Sequence, residues 1–120
     1  MKKILVIEDN PHNMKMVTLI LSKSGYDVRQ ATYAEQGILL AQDEQPDLIL
    51  MDIQLPEMSG KEATKILKDD PKTSHIKIIA ITAYAVQGDM ERTLNCGCDG
   101  YVAKPIRYKE FLKTVEGILQ

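Results

Sequence analysis

The chain is poor in the residues from which metal-bound or disulfide-bonded scaffolds are built. Its 120 residues include two cysteines, Cys96 and Cys98, and two histidines, His12 and His75. A structural zinc site needs about four ligands at recognisable spacings, which these residues do not provide. Because disulfides are rare in the cytosol, we expect two reduced, partly buried thiols, with a redox-active cysteine pair as the alternative.

The sequence also lacks the long apolar run and the basic clusters that would indicate other classes of protein. No apolar segment approaches the roughly 18 residues of a membrane span. Residues 4–7 are too short for a signal peptide, because Glu8 and Asp9 follow at once. Lysine and arginine are scattered and the formal net charge is -2, so no surface for nucleic acid is predicted. We therefore expect a soluble cytoplasmic protein without a membrane or nucleic-acid partner.

What is present is the composition of an ordinary globular domain. Hydrophobic residues make up 44% of the chain and charged residues 27%, which argues against disorder. A chain of this length can bury about two-thirds of its unfolded surface, which is enough for a hydrophobic core. No linker or low-complexity segment divides it, so we expect residues 1–120 to form one domain without a separate output domain.

Five apolar runs predict β-strands, at residues 4–7, 27–31, 48–51, 77–81 and 100–102. The third and fourth runs are apolar almost throughout, which is typical of strands covered by helices on both faces of a parallel sheet. The runs begin about 20 to 30 residues apart, as in successive βα units. Because crossovers between parallel strands are right-handed, the sequence predicts a doubly wound, five-stranded, flavodoxin-like α/β fold with strand order 2-1-3-4-5.

Helical patterns lie between the predicted strands. Asn10 and Pro11 are typical of a helix start, and the apolar positions after them share one face. Three further helices are predicted by apolar stripes that begin at Ala34, Ala63 and Phe111. The segment 85–94 has few apolar positions, which indicates either a weakly amphipathic surface helix or an element that is easily displaced.

Polar residues follow the predicted strands at their carboxyl ends, where open parallel sheets place their functional sites. The set is Glu8, Asp9, Asp52, Thr82 and Lys104. In the predicted strand order the three carboxylates converge, so they raise one another's pKa. A divalent cation would remove this repulsion, and oxygen ligands favour Mg²⁺, with Mn²⁺ as an alternative. Lys104 can pair with a carboxylate or a phosphate, and the Thr82 hydroxyl can donate to a phosphoryl oxygen.

The sequence around these positions contains several short motifs. They are IEDN at 7–10, DLILMD at 47–52, LPEMSG at 55–60, IAITA at 79–83 and KP at 104–105. In this order and spacing, residues 3–119 resemble the receiver domains of response regulators in two-component phosphorelays. The stretches at 52–60 and 83–85 are similar to those of single-domain cell-cycle regulators of the DivK type and of the receivers of hybrid kinases.

The resemblance implies a role for each residue of the set. Asp52 corresponds to the phosphoacceptor, whose carboxylate attacks a phosphohistidine on a histidine kinase or phosphotransfer protein. Asp9, Asp52 and the backbone carbonyl of Gln54 correspond to the direct Mg²⁺ ligands, and Glu8 acts through a water molecule. Lys104 pairs with the acyl phosphate, and a cis peptide bond to the following proline aims it.

The resemblance also implies how the signal is timed and transmitted. Gln54 and Tyr84 flank the path of the hydrolytic water, and Thr82 and Tyr101 correspond to the switch hydroxyl and the switch aromatic. An ordinary strand aromatic is the alternative for Tyr101. The output surface, where a downstream protein partner binds, comprises the predicted helix 85–94, the fifth strand and the last helix. The chain is expected to be a monomer or a phosphorylation-dependent dimer. The chain's own phosphorylation and dephosphorylation are the only reactions implied.

Two other classes of protein share parts of this pattern. Haloacid-dehalogenase-type phosphatases also use a strand-end aspartate and Mg²⁺, but they place a second aspartate two positions on, where this chain has Gln54. Flavodoxin-like flavin binders use a hydroxyl- and glycine-rich phosphate loop after the first strand, whereas Glu8 and Asp9 would repel a phosphate. A degenerate receiver that serves only as a scaffold is disfavoured, because every phosphorylation residue is present. The prediction is therefore a phosphoacceptor signalling protein and not an enzyme.

Overall fold

The chain folds as an α/β structure around one parallel sheet. The computed structural model describes residues 2–53, 55, 58–82 and 97–119. Its strands are β1 (Lys3–Ile7), β2 (Asp27–Ala31), β3 (Leu48–Asp52), β4 (Lys77–Thr82) and β5 (Gly100–Ala103). They lie in the order β2-β1-β3-β4-β5, and each neighbouring pair is parallel. The predicted fold class and strand order are confirmed.

Helices connect the strands and cover the sheet. In the described ranges they are α1 (Pro11–Lys23), α2 (Ala34–Glu44), α3 (Gly60–Asp69) and the C-terminal helix (Tyr108–Leu119). The helix predicted at residues 85–94 lies outside those ranges. Among the helices that the structure does describe, none has the length and apolar character needed to cross a membrane.

Helices cover both faces of the sheet, and successive side chains of a strand point into the two cores in turn. On β1, Leu5 and Ile7 belong to the core beneath α2 and α3, whereas Ile4 and Val6 belong to the core beneath α1 and the C-terminal helix. All five residues of β3 are buried. The central strand, which ends at Asp52, is therefore held by packing from both sides.

Two helix caps lie next to the carboxyl edge of the sheet. The side chain of Asn10 accepts hydrogen bonds from the backbone N–H groups of His12 at 2.9 Å and Asn13 at 3.2 Å, as predicted for an N-cap followed by proline. Ser59 caps α3 by accepting from the N–H of Glu62 at 3.2 Å. The first turns of α1 and α3 are thereby fixed close to the ends of β1 and β3.

Of the two cysteines, the structure describes Cys98. Cys98 is buried in the core beneath α2 and α3, as expected for a structural thiol. Cys96 lies outside the described residues, so the choice between two thiols and a redox-active pair stays a prediction.

Candidate functional site

The carboxyl edge of the sheet brings together all five predicted polar residues. Asp52 and Thr82 are the last residues of β3 and β4, while Glu8 and Asp9 directly follow β1 and Lys104 directly follows β5. The ladder pairs Asp52 with Ile81 and Thr82 with Ala103, so these strands end at nearly the same height. Because the strands are parallel and end at the same edge of the sheet, side chains from distant parts of the chain lie close together.

Three carboxylates form a compact cluster at this edge. One oxygen from each of Glu8, Asp9 and Asp52 lies within 4.8 Å of the others. Glu8 and Asp52 are 1% exposed, whereas Asp9 is exposed at the rim of the cluster. Like charges at this separation disfavour one another's ionised form unless a cation compensates them.

The cluster fits a hard divalent cation. Among the described residues, Oε1 of Glu8 is the buried side-chain oxygen or nitrogen that lacks a hydrogen-bond partner. A buried oxygen without a donor, beside two further carboxylates, matches the all-oxygen donor set that Mg²⁺ prefers. The geometry therefore supports the predicted class of metal, with Glu8 and Asp52 buried and Asp9 exposed.

Lys104 supplies a positive charge to the same cluster. Its Nζ lies 3.1 Å from Oδ2 of Asp52 and 3.7 Å from Oε1 of Glu8. The backbone N–H of Lys104 donates to the carbonyl of Thr82 at 2.8 Å, which ties the residue to the end of β4. The peptide bond between Lys104 and Pro105 is cis, as predicted.

The environment of Glu8 changes its acidity. The pKa of Glu8 is raised from 4.5 to about 8, first by burial and then by a hydrogen bond to Asp52 and the Asp52 charge. The Lys104 charge and the backbone N–H of Asn10 act in the opposite direction. In the absence of metal, Glu8 is therefore mostly protonated at neutral pH, and its proton can be shared with Asp52.

The two predicted switch residues lie on neighbouring strands. Thr82 is buried at the end of β4, and Tyr101 on β5 is paired with Ala80. The Tyr101 side chain is partly buried against the core beneath α2 and α3. This placement suits a switch aromatic and an ordinary strand aromatic alike. The predicted tuning residues, Gln54 and Tyr84, lie outside the described residues.

One residue next to the site, Gly60, is absent from the predicted set. It is the first residue of α3, and its N–H donates to the carbonyl of Ile53 at 3.1 Å. A side chain at this position would meet the carbonyl group of Asp52. The available signal is a glycine directly after the N-cap Ser59, where most residues form helices better than glycine does.

Comparison with known proteins identifies the family. Residues 4–116 match the family described as the response regulator receiver domain. The polar-differentiation response regulator DivK of Brucella anthropi is 45% identical over 118 residues, which are 98% of this chain and 96% of that protein. DivK of Brucella ovis has the same identity and coverage.

Solved structures give the same result. The receiver domain of a sensor histidine kinase from Pseudomonas aeruginosa, which has a magnesium ion coordinated in its active-site cleft, is 34% identical with a TM-score of 0.91. The match covers 98% of this chain and 97% of that one. The chemotaxis response regulator CheY4 of Vibrio cholerae is 26% identical with a TM-score of 0.94, covering 99% of both chains. The fold is thus the flavodoxin-like fold of CheY.

These matches agree with the chemistry of the acidic edge. Response regulator receivers are signalling proteins rather than enzymes acting on external substrates, and phosphorylation and Mg²⁺ binding are typical of them. The family match spans almost the whole chain, and relatives at 45% identity are DivK proteins. This chain belongs to the response regulator receiver family and resembles DivK within it.

Proposed function

We propose that this chain is a stand-alone response regulator, formed by residues 1–120, that accepts a phosphoryl group on Asp52. The donor is a phosphohistidine of a histidine kinase or of a histidine phosphotransfer protein. The observation that carries the proposal is the buried Asp52 carboxylate, which lies 3.1 Å from the Lys104 ammonium and within 4.8 Å of two further carboxylates. This is the chemistry that an aspartyl phosphate needs around it.

The reaction is a transfer between two nucleophiles. An Asp52 carboxylate oxygen forms a bond to phosphorus while the phosphorus–nitrogen bond of the phosphohistidine breaks, and the electron pair leaves with the imidazole. Lys104, already at the acceptor, pairs with the phosphoryl oxygens as the transfer proceeds. The Thr82 hydroxyl, at the end of the neighbouring strand, donates to the transferred group.

Asp9, Asp52 and the backbone carbonyl of Gln54 would hold Mg²⁺ directly, with Glu8 acting through a water molecule, and Mn²⁺ is an alternative occupant. When bound, the cation offsets the charge of the attacking carboxylate and of the incoming phosphoryl group. The burial of Glu8, whose Oε1 has no hydrogen-bond partner, and the exposed position of Asp9 support this division of roles. Glu8 is then the inner acid and Asp9 the one open to solvent.

A groove next to Lys104 provides room for the donor protein. It lies between the start of α1 and the segment after β5, lined by His12, Asn13, Met16, Lys104, Pro105 and Ile106. The groove adjoins the acidic cluster through Lys104, so a histidine presented there can approach Asp52. This placement favours a protein donor that docks on α1.

Output and timing complete the proposal. Thr82 moves toward the phosphoryl group and Tyr101 follows. The surface formed by the segment 85–94, which the sequence predicts as a helix, by β5 and by the C-terminal helix then changes its protein contacts, as a monomer or a dimer. Gln54 and Tyr84 set the rate of self-dephosphorylation by positioning or excluding water. The cytoplasmic location expected from the sequence belongs to the same proposal.

Intact-mass spectrometry tests the phosphoacceptor directly. The protein is incubated with Mg²⁺ and either acetyl phosphate or a phosphorylated histidine phosphotransfer protein, and the mass of one phosphoryl group is sought. Asp52→Asn should abolish the adduct, and chelation of the metal should do the same. Asp47→Asn is the matched control, because Asp47 is exposed just before β3, at the opposite end of that strand. An undiminished adduct in Asp52→Asn would refute the proposal.

A further inference from the structure

We infer that Gly60 is a positioning residue for the phosphoacceptor: its missing side chain sets where the backbone of Asp52 lies, and hence where the Asp52 carboxylate points. The inference rests on the proposed function, because it concerns how that site is aimed. It adds to the site a residue that carries no functional group of its own.

Gly60 packs backbone against backbone at the end of β3. A Cβ on Gly60 would be nearest to the carbonyl oxygen of Asp52, 2.9 Å from the carbonyl carbon of Asp52 and 2.7 Å from the Cα of Ile53. Nonbonded heavy atoms prefer separations of about 3.5 to 4.0 Å. All of these atoms belong to the main chain, so none of them can rotate away as the end of a flexible side chain can.

The conformation of Gly60 does not itself require glycine. Among the described residues, the glycines with positive φ are Gly25 and Gly97, whereas Gly60 is an ordinary helical residue at the start of α3. Alanine forms helices better than glycine. Helix propensity therefore argues against glycine at position 60. The close contact with the backbone of Asp52 and Ile53 explains why a glycine is found there.

Both partners in this contact are pinned, so neither yields easily. On the sheet side, the N–H of Ile53 donates to the carbonyl of Ile81 at 3.0 Å, which continues the β3–β4 ladder past Asp52. On the helix side, the N–H of Gly60 donates to the carbonyl of Ile53 at 3.1 Å. The buried hydroxyl of Thr64 donates to the carbonyl of Gly60 at 2.7 Å. A methyl group at position 60 therefore has to displace the Asp52–Ile53 peptide.

Displacement of that peptide changes the position and orientation of the Asp52 carboxylate. Oδ2 of Asp52 lies 3.1 Å from Nζ of Lys104, and the carboxylate cluster with Glu8 and Asp9 is held within 4.8 Å. A misplacement of about 1 Å can cost about a hundredfold in the rate of a group transfer. We expect Gly60→Ala to slow phosphorylation of Asp52 by about tenfold to a hundredfold and to weaken Mg²⁺ binding.

Two control variants separate positioning from a general loss of stability. Gly117→Ala makes the same substitution in the C-terminal helix, where a Cβ meets nothing within 4 Å. Ala41→Gly opens a small gap at a fully buried position of α2, about two turns after the start of that helix. Gly117→Ala should match the wild type in phosphorylation rate and Mg²⁺ affinity, with a thermal midpoint at least as high because alanine favours the helix. Ala41→Gly should lose thermal stability without losing phosphorylation rate.

The measurements are the initial phosphorylation rate with acetyl phosphate at saturating Mg²⁺, the Mg²⁺ dissociation constant by calorimetry, and the thermal midpoint. The inference holds if only Gly60→Ala loses both rate and Mg²⁺ affinity. It is overturned if Gly60→Ala matches the wild type within about twofold in both quantities, or if Ala41→Gly loses as much as Gly60→Ala does.

If Gly60→Ala does not fold, substitutions of Thr64 decide the question. Thr64→Val removes the hydroxyl that pins Gly60, and Thr64→Ser keeps it. The valine variant should be slower than the serine variant, and equal rates would overturn the inference.

Failure of the proposed function gives a different result. A wild-type protein that takes no phosphoryl group on Asp52 refutes that function, whatever position 60 does. The inference is then judged by the Mg²⁺ dissociation constants and by the distance from Lys104 Nζ to Asp52 Oδ2 in a crystal structure of Gly60→Ala. A longer distance supports the inference, and an unchanged distance overturns it.

Discussion

Nζ of Lys104 lies 3.1 Å from Oδ2 of Asp52, although their strands, β5 and β3, are separated by β4 in the sheet. The lysine side chain therefore reaches over the end of β4, where Thr82 lies. Asp52 is fully buried, and the Lys104 side chain is 21% exposed. The cation proposed to pair with the phosphoryl group is thus already at the acceptor before any transfer takes place.

Removal of this cation should leave a buried carboxylate without its charged partner. We expect Lys104→Met to lower the free energy of unfolding in metal-free buffer by about 1.5 to 3 kcal/mol, the usual value of a charged hydrogen bond. The same variant should also be phosphorylated more slowly. Urea unfolding measures the first effect, with Lys113→Met on the exposed face of the C-terminal helix as the control. Equal losses in the two variants would contradict a specific role for Lys104.

The raised pKa of Glu8 predicts how stability depends on pH without metal. Between pH 4.5 and about 8 the folded protein holds a proton on Glu8 that the unfolded chain has released. Stability from this proton is therefore present below about pH 4.5 and is lost as the pH rises toward 8. The free energy of unfolding in chelator should fall across this window, as followed by urea titrations at several pH values.

Two comparisons assign this pH dependence to Glu8. Glu8→Gln removes the titrating group and should flatten the profile between pH 5 and pH 8. Saturating Mg²⁺ should flatten it as well, because a cation compensates the ionised carboxylates. A profile that keeps its slope in Glu8→Gln would show that another group is responsible.

The exposed acid of the cluster should have opposite effects on stability and on metal binding. Asp9→Asn removes the charge that lies beside the Asp52 carboxylate in this cluster, so we expect a higher thermal midpoint than the wild type in metal-free buffer. The same variant should lose most of the stabilisation that added Mg²⁺ gives the wild type. Asp43→Asn, an exposed residue of α2, is the matched control. A lower midpoint for Asp9→Asn in chelator would disprove the electrostatic explanation.

Hydrogen exchange can follow the signal away from Asp52. With the phosphoryl mimic beryllofluoride and Mg²⁺, we expect altered amide protection across residues 85–94, because few apolar contacts are predicted to hold that segment. Asp52→Asn should show no such change. Changes confined to the loops that follow β3 and β5 would indicate a rigid domain whose phosphate is read directly at the strand ends.

The sequence predicted the sheet well but ended most strands too early. The predicted third, fourth and fifth strands stop at residues 51, 81 and 102, whereas β3, β4 and β5 continue to Asp52, Thr82 and Ala103. Apolar runs report which side chains are buried in the core, but the ladder is built from main-chain groups and continues through a polar residue. Asp52 and Thr82 are therefore strand residues, which holds them more firmly than loops would.

Two features of the site could not be read from the sequence. Lys104 and Glu8 follow different strands, and the spacing of residues in the sequence does not predict the 3.7 Å between Nζ of Lys104 and Oε1 of Glu8. The LPEMSG motif ends in Gly60, but a residue without a side chain offers no functional group, so the motif did not indicate its contact with Asp52. The identities of the reactive residues were predictable because parallel strands end at one edge, but their mutual distances are set by packing.

Thr82 takes part in the site through two separate parts of the same residue. Its carbonyl oxygen accepts the N–H of Lys104 and so belongs to the fixed frame of the sheet, whereas its hydroxyl is the group proposed to move. Rotation of the side chain leaves the carbonyl where it is. The atom that holds Lys104 in place and the atom proposed to transmit the signal are thus different. Evolution can therefore remove signal transmission by changing the Thr82 side chain while the protein still accepts the phosphoryl group.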